Sequence, residues 1–212
     1  VTILQPDDVA KLLAALDSES LKWRTLIHVL LASGARKGEI GGLKWDRVDF
    51  DNSQIEISNN LLYDPKNGIY ETTPKTDGSN RFVKLPAQTM ALLKEWQTYC
   101  KQLRLMNGDR WQETGFVFIQ DDGRPMHPDS VSKWLVPFCE KNGIPQVTAH
   151  ALRHTAASIL IDSGASIVAV SKRLGHSQTS TTVNTYAHQI RKADEAAADS
   201  LADVIYKPKT AK

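Results

Sequence analysis

Cysteine is scarce in this chain. Only Cys100 and Cys139 occur among 212 residues, far apart and without a CxxC spacing. Such usage reads as two buried or free thiols in a reducing compartment rather than a disulfide framework. Charge of one sign is equally scarce, since 26 Lys and Arg against 24 Asp and Glu leave only +2. So small a bias neither demands nor excludes nucleic acid, because acidic surface elsewhere can balance a basic groove. No apolar run approaches a bilayer span. The opening VTILQPDDVAKLL lacks the basic-then-apolar order of a signal peptide, so export is not expected. Internal repeats and Gly/Ser-rich linkers are missing as well. What is present is ordinary: 41% hydrophobic and 24% charged residues, in a length near the upper end of what one core serves. Bulk composition gives a soluble cytosolic domain and stops there.

Local patterns add the elements. PDDVAKLLAAL reads as a helix, with Pro6 in its first turn, Asp7 and Asp8 at its positive end, and Val9, Leu12, Leu13 and Leu16 on one face. LKWRTLIHVLLASG is a second helix that Gly34 is placed to end, and RKGEIGGLKW a short helical turn. SQIEIS alternates as a strand. GIYETTPKT and NRFVKLP flank the turn residues DGSN and read as the two arms of a hairpin. Pro86 opens a long helix, TGFVFIQDDGRPM reads as a last strand and turn, and helices follow to the end. The expectation is an α+β, mainly α-helical domain with a small antiparallel β-sheet on one edge.

Four polar islands stand out. In SGARKGEI, Arg36 and Glu39 are three apart and share a helical face. They read either as a surface ion pair of little energetic value or as an arginine held rigid to grip an oxyanion. Lys75, beside the hairpin turn, is either a solvated surface lysine or a mobile proton donor. In HALRH, the pair His150 and His154 invites a metal reading, but a zinc-protease helix needs Glu after the first His and Ala151 stands there. His154 then reads as a satisfied core histidine, as does His28. The fourth island, LGHSQTSTTVNTYAH, carries His176, Tyr186 and His188 with little apolar content between them. Its tyrosine is either half-buried packing or a group presented outward from a movable segment.

Taken together the islands supply two arginines, two histidines, a lysine and a tyrosine, a set suited to attack on a phosphodiester without metal. Arg36 and Arg153 can hold the non-bridging oxygens, and His150 and His176 can add donors or assist proton transfer. Lys75 can protonate a sugar leaving group, and Tyr186 can attack to give a phosphotyrosine that stores the bond energy without ATP.

GARKGE, PKTDGSNRFVKL, HALRH and LGHSQTSTTVNTYAH, in that order, resemble the motif boxes of the tyrosine recombinases, the phage-integrase family, and are most similar to integrases of phages and conjugative transposons. The resemblance runs from Arg36 to Tyr186. It implies the tyrosine recombinase catalytic fold, with Arg36 and Arg153 as phosphate-binding arginines and Lys75 as the lysine that protonates the 5′-oxygen. It implies that His150 and His176 fill the other two box positions and that Glu39 supports the site. Tyr186 becomes the nucleophile that forms a 3′-phosphotyrosyl link to DNA, and His188 matches no box. No metal or other cofactor is implied. The implied partners are double-stranded DNA recombination sites, further copies of the chain in a homotetramer, and a directionality or host accessory factor. The implied setting is the bacterial cytoplasm, at the nucleoid. On this resemblance residues 1–188 form the catalytic domain and 189–212 a tail helix that docks on its own domain or on a neighbouring protomer. On the same resemblance the family's N-terminal core-binding domain is expected to be absent from this chain. A type IB topoisomerase and a non-catalytic DNA-binding relative are the alternatives.

Overall fold

Pro6 at the first helical position and Asp7 and Asp8 beside it start α1 (Pro6–Leu16), which buries Leu12 and Leu16. The computed structural model describes residues 2–72 and 80–206. Helix α2 (Leu21–Ser33) ends where Gly34 turns left-handed at φ +65° and donates its N–H to the Leu30 carbonyl. The five-residue α3 (Lys37–Gly41) follows at once. Pro86 then opens α4 (Ala87–Asn107), and α5 (Ser130–Lys141), α6 (Ala149–Asp162), α7 (Ile167–Leu174), α8 (Thr179–Thr185) and α9 (Ala187–Tyr206) complete the helices. Among the described residues no helix is long and apolar enough to cross a membrane.

Helix α2 runs between α4 and α6, and its buried Leu26, Ile27, Val29 and Leu30 form the middle of the main core. Each such side chain contributes about 1.5–3 kcal/mol by leaving water. Trp23 of α2 stacks on Trp134 of α5 at 4.6 Å, which closes that core on one side. Both cysteines are free and buried within it, and burial pushes the Cys100 thiol up to about 12.

Strand pairing differs from the sequence expectation. Strands β1 (Val48–Asp49), β2 (Gln54–Ile57) and β5 (Arg81–Lys84) form one antiparallel sheet in the order β1-β2-β5. Strands β3 (Asn60–Asp64) and β4 (Gly68–Thr72) form a separate pair. GIYET and RFVK are therefore not the two arms of one hairpin. The Asp64 carboxylate accepts the N–H groups of Lys66 and Asn67, and Gly68, paired with Asp64, takes φ +73°, so the turn at 65–67 closes β4 onto β3 instead. Strand β5 alternates buried Arg81 and Val83 with exposed Phe82 and Lys84, which matches β2, where Ile55 faces Val83 and Ile57 faces Arg81. Residues 73–79, which hold Lys75 and most of the expected turn, lie outside the described residues.

The expected strand at TGFVFIQ is also absent as a regular element. Phe116, Val117, Phe118 and Ile119 are all buried, and only isolated bridges form, Lys44 with Phe116 and Ile119 with Pro125. Three unrelated groups satisfy this backbone. Val117 N–H donates to the Leu43 carbonyl, the Trp96 indole donates to the Val117 carbonyl, and Met126 N–H donates to the Phe118 carbonyl.

A second, smaller core sits beyond the main one. Ala157 and Ile161 of α6, Val170 and Leu174 of α7, and Tyr186 form it, with Ile190 of α9 packed against them. Leu174 and Tyr186, the two ends of the polar run, are therefore part of a core, while between them Val183 is exposed and the polar Thr182 is buried.

Candidate active site

Several chain reversals meet at one place. Gly34 ends α2, and its carbonyl accepts Nη1 of Arg153 from α6 at 2.9 Å. Two residues later Arg36 caps α3: its backbone N–H donates to Glu39 Oε2 at 2.8 Å and its guanidinium Nη1 to Oε1 at 3.0 Å. The Arg36 side chain is 48% exposed and that of Glu39 only 6%. Glu39 is thus a buried anchor and Arg36 an outward-reaching cation.

Arg81 holds the other side of Glu39. Its Nη2 donates to Glu39 Oε2 at 2.8 Å, and its Nε donates to the Arg173 carbonyl at the end of α7 at 2.7 Å. Gly175 ends α7 at φ +71°, and a side-chain carbon there would stand 2.5 Å from Arg81 Nη1. Only glycine lets the chain turn over that guanidinium. The turn delivers His176, whose Nδ1 is 2.7 Å from the Thr182 hydroxyl of α8.

Tyr186 follows α8 and is 1% exposed. Its hydroxyl lies 2.8 Å from His154 Nδ1, and His154 Nε2 lies 3.0 Å from His150 Nε2. Thr148 caps α6 by accepting the Ala151 N–H, which fixes where the helix starts and so where His150, Arg153 and His154 point.

The electrostatics follow from crowding cations in partial burial. Burial, then the Arg36 charge, lowers Arg153 to about 10. Burial, then Arg153, Arg36 and Arg81, lowers His176 to about 4. His150 and His154 are lowered by burial first and by neighbouring cations next. Burial raises Tyr186, with Arg153 opposing. Burial also pushes Glu39 up, but Arg81 and Arg36 outweigh it and hold the carboxyl below its ordinary value. One atom is conspicuous: Arg153 Nη2 is buried without a hydrogen-bond partner among the described residues. An anion between Arg36, Arg153 and His176 would satisfy that donor and offset the mutual repulsion.

The structure thus brings Arg36, Glu39, His150, Arg153, His176 and Tyr186 together. Lys75 lies outside the described residues, and His188 is exposed on α9. Two members were missed by sequence reasoning. His154 is half-buried and holds the tyrosine hydroxyl, so it is not simply a core histidine; its four-residue offset from His150 was the available signal. Arg81 was legible from the alternation of RFVK, which turns it inward with Val83.

The phage integrase family matches residues 2–192, from α1 into α9. The chain belongs to that family, the tyrosine recombinases. Members of this family are DNA breaking-and-rejoining enzymes. A XerC-like tyrosine recombinase of Caldanaerobacter subterraneus subsp. tengcongensis is 31% identical over 209 residues, which cover 93% of this chain and 53% of the relative. The ICEBs1 integrase of Bacillus subtilis is 26% identical, covering 95% and 54%. The Tn916 transposase of Enterococcus faecalis is 29% identical, covering 88% and 48%. This recombinase chain therefore spans about half the length of the curated relatives it matches. Its fold is that of the Tn1549 transposon integrase in complex with transposon right-end DNA, with a TM-score of 0.80 and 24% identity over 95% of this chain and 66% of that one. The XerA recombinase shares the fold at a TM-score of 0.70 and 20% identity, covering 98% and 65%.

Proposed function

We propose that this chain is the catalytic part of a site-specific recombinase that integrates or excises a mobile element through a 3′-phosphotyrosine intermediate. The observation that carries this reading is the buried Nη2 of Arg153, without a hydrogen-bond partner among the described residues, near the tyrosine and among mutually repelling cations. Arg36 and Arg153 hold the non-bridging oxygens of the scissile phosphate by guanidinium hydrogen bonds and stabilise the charge that builds there. His150 and His176 add donors to the same oxygens, and Glu39 keeps Arg36 in place. Tyr186 attacks phosphorus, and Lys75 gives a proton to the departing 5′-oxygen. The phosphotyrosyl bond retains the energy of the broken phosphodiester, so rejoining needs neither ATP nor a metal.

The partners that fit are duplex recombination sites, acted on by a homotetramer across paired DNAs, with an accessory factor to set direction, at the bacterial nucleoid in the cytoplasm. We assign 1–188 to the catalytic domain and 189–212 to a docking tail. Supporting this, α9 packs Ile190 into the small core but leaves Leu201, Ile205 and Tyr206 exposed, an apolar group suited to a neighbouring protomer.

Strand transfer is the test. Incubated with two distinguishable duplexes carrying the element-end junction, the protein is expected to join a strand of one to the other without added ATP or metal. Tyr186→Phe is expected to abolish joining while non-covalent binding persists. Relaxation of supercoils with no exchange between duplexes would indicate a nicking-closing enzyme instead, and joining by the Phe variant would remove Tyr186 from its role.

A further inference from the structure

Attack by a phenol requires that its proton leave, and burial holds that proton on Tyr186 more firmly than usual. The roles proposed above place no group in contact with it. His154 is in contact: its Nδ1 sits 2.8 Å from the Tyr186 hydroxyl. A phenol donating to Nδ1 fixes the His154 proton on Nε2, and Nε2 lies 3.0 Å from Nε2 of His150. The two rings stand one helical turn apart, with centroids 4.5 Å from each other and planes at 88°. Exposure rises along this chain of groups, from the buried tyrosine through half-buried His154 to exposed His150. His150 in turn feels the charges of Arg153 and Arg36, which puts it beside the phosphate-binding cations.

We propose that His154 is a catalytic residue that accepts the Tyr186 proton, and that His154 and His150 form a two-imidazole relay carrying it from the small core to the open face of the site. The inference rests on Tyr186 being the nucleophile. In the forward step the phenol O–H bond breaks as the bond from Oη to phosphorus forms, and the proton passes to His154 Nδ1. The Nε2 proton of His154 moves to His150 Nε2, so His154 ends neutral in its other tautomer and His150 ends as an imidazolium. The bond from phosphorus to the 5′-oxygen breaks, and that oxygen takes its proton from the general acid. Rejoining runs the relay backwards. The positive charge thereby arrives beside the phosphate while negative charge develops on it, an arrangement worth more than a proton released to solvent.

The test is single-turnover formation of the covalent adduct on a nicked suicide duplex bearing the element-end junction. The protein carries either tyrosine or a ring-fluorinated tyrosine, whose phenol ionises more readily, at position 186. With tyrosine, His154→Gln and His154→Ala are expected to slow adduct formation by about 100-fold, within the range of general base catalysis. With the fluorinated residue the penalty is expected to shrink below about tenfold, because less help is needed to remove the proton. A purely structural role would slow both phenols equally. Equal slowing, or none, overturns the relay. His150→Gln reads the same ratio from the exposed end should the His154 variants not fold, and equal slowing there overturns the relay too. An adduct mapped to a residue other than Tyr186, or no adduct from the unsubstituted chain, overturns the nucleophile assignment itself and the relay with it.

Discussion

Arg153 combines two features that rarely coexist in a resting protein: a buried guanidinium and a donor with no hydrogen-bond partner among the described residues. Leaving such a group unsatisfied costs about 1–3 kcal/mol, a cost that an anion bound there would offset. Burial first, and then neighbouring positive charge, depress the histidines, and this has a measurable consequence. His176 titrates near 4 in the fold against an ordinary value of 6.5. Between those values the unfolded chain binds more protons than the folded one, so stability must rise with pH across that window and fall on acidification. His150 and His154 are shifted the same way and add to the slope. Thermal denaturation is therefore expected to give a lower Tm at pH 5 than at pH 7, with a smaller difference in His176→Gln. A Tm unchanged over this range, or an identical drop in the variant, would contradict a His176 held neutral by burial and its cationic neighbours. Glu39 does not confuse the result above pH 4.5, because its carboxyl is held below that value.

Between elements, the Glu39–Arg81 pair ties α3, β5 and the end of α7 together. Both side chains are buried, at 6% and 7% exposure, whereas the Glu39–Arg36 pair is half open to water. The two pairs should behave differently. Removing the buried anion takes from Arg81 its carboxylate partner, a loss of about 3–5 kcal/mol for a buried pair, while an exposed pair contributes less than about 1 kcal/mol. Glu39→Gln is expected to lose about 3 kcal/mol in urea denaturation, and adding Arg81→Met should recover part of it. A loss under about 1 kcal/mol would mean that Glu39 is not the anchor of the site. This network was half legible in the sequence. Arg36 and Glu39 were visible as a three-residue offset, but Arg81 pairs with Glu39 across 42 positions, and no local pattern carries that. The strands show the same division. Helix limits at Pro6, Gly34 and Pro86 follow from residues that start or stop helices by their own backbone chemistry. Which strand pairs with which depends on burial on both faces, and the short turn at 65–67 took β4 away from the partner that sequence order suggested.

At the scale of the whole molecule, a nearly balanced net charge conceals a site where cations are concentrated and anions are few. Composition could not reveal that, since it averages the site with its surroundings. The ordered set of motifs could, because Arg36, the α6 pair His150 and Arg153, and the run from His176 to Tyr186 lie in three separate segments that only a common fold brings together. The polar run left open whether the tyrosine packs or is held outward. Tyr186 packs with Val170 and Leu174 and presents its hydroxyl to His154. The central claim, that these dispersed residues form one phosphoryl-transfer site with Tyr186 as its nucleophile, is tested most directly by the chemistry of the trapped protein–DNA adduct. Peptide mass spectrometry of the adduct from a suicide duplex, with end-labelling of the released strand, is predicted to show Tyr186 esterified to a 3′-phosphate and a free 5′-hydroxyl on the strand that left. A link through any other residue, or to a 5′-phosphate, would contradict it.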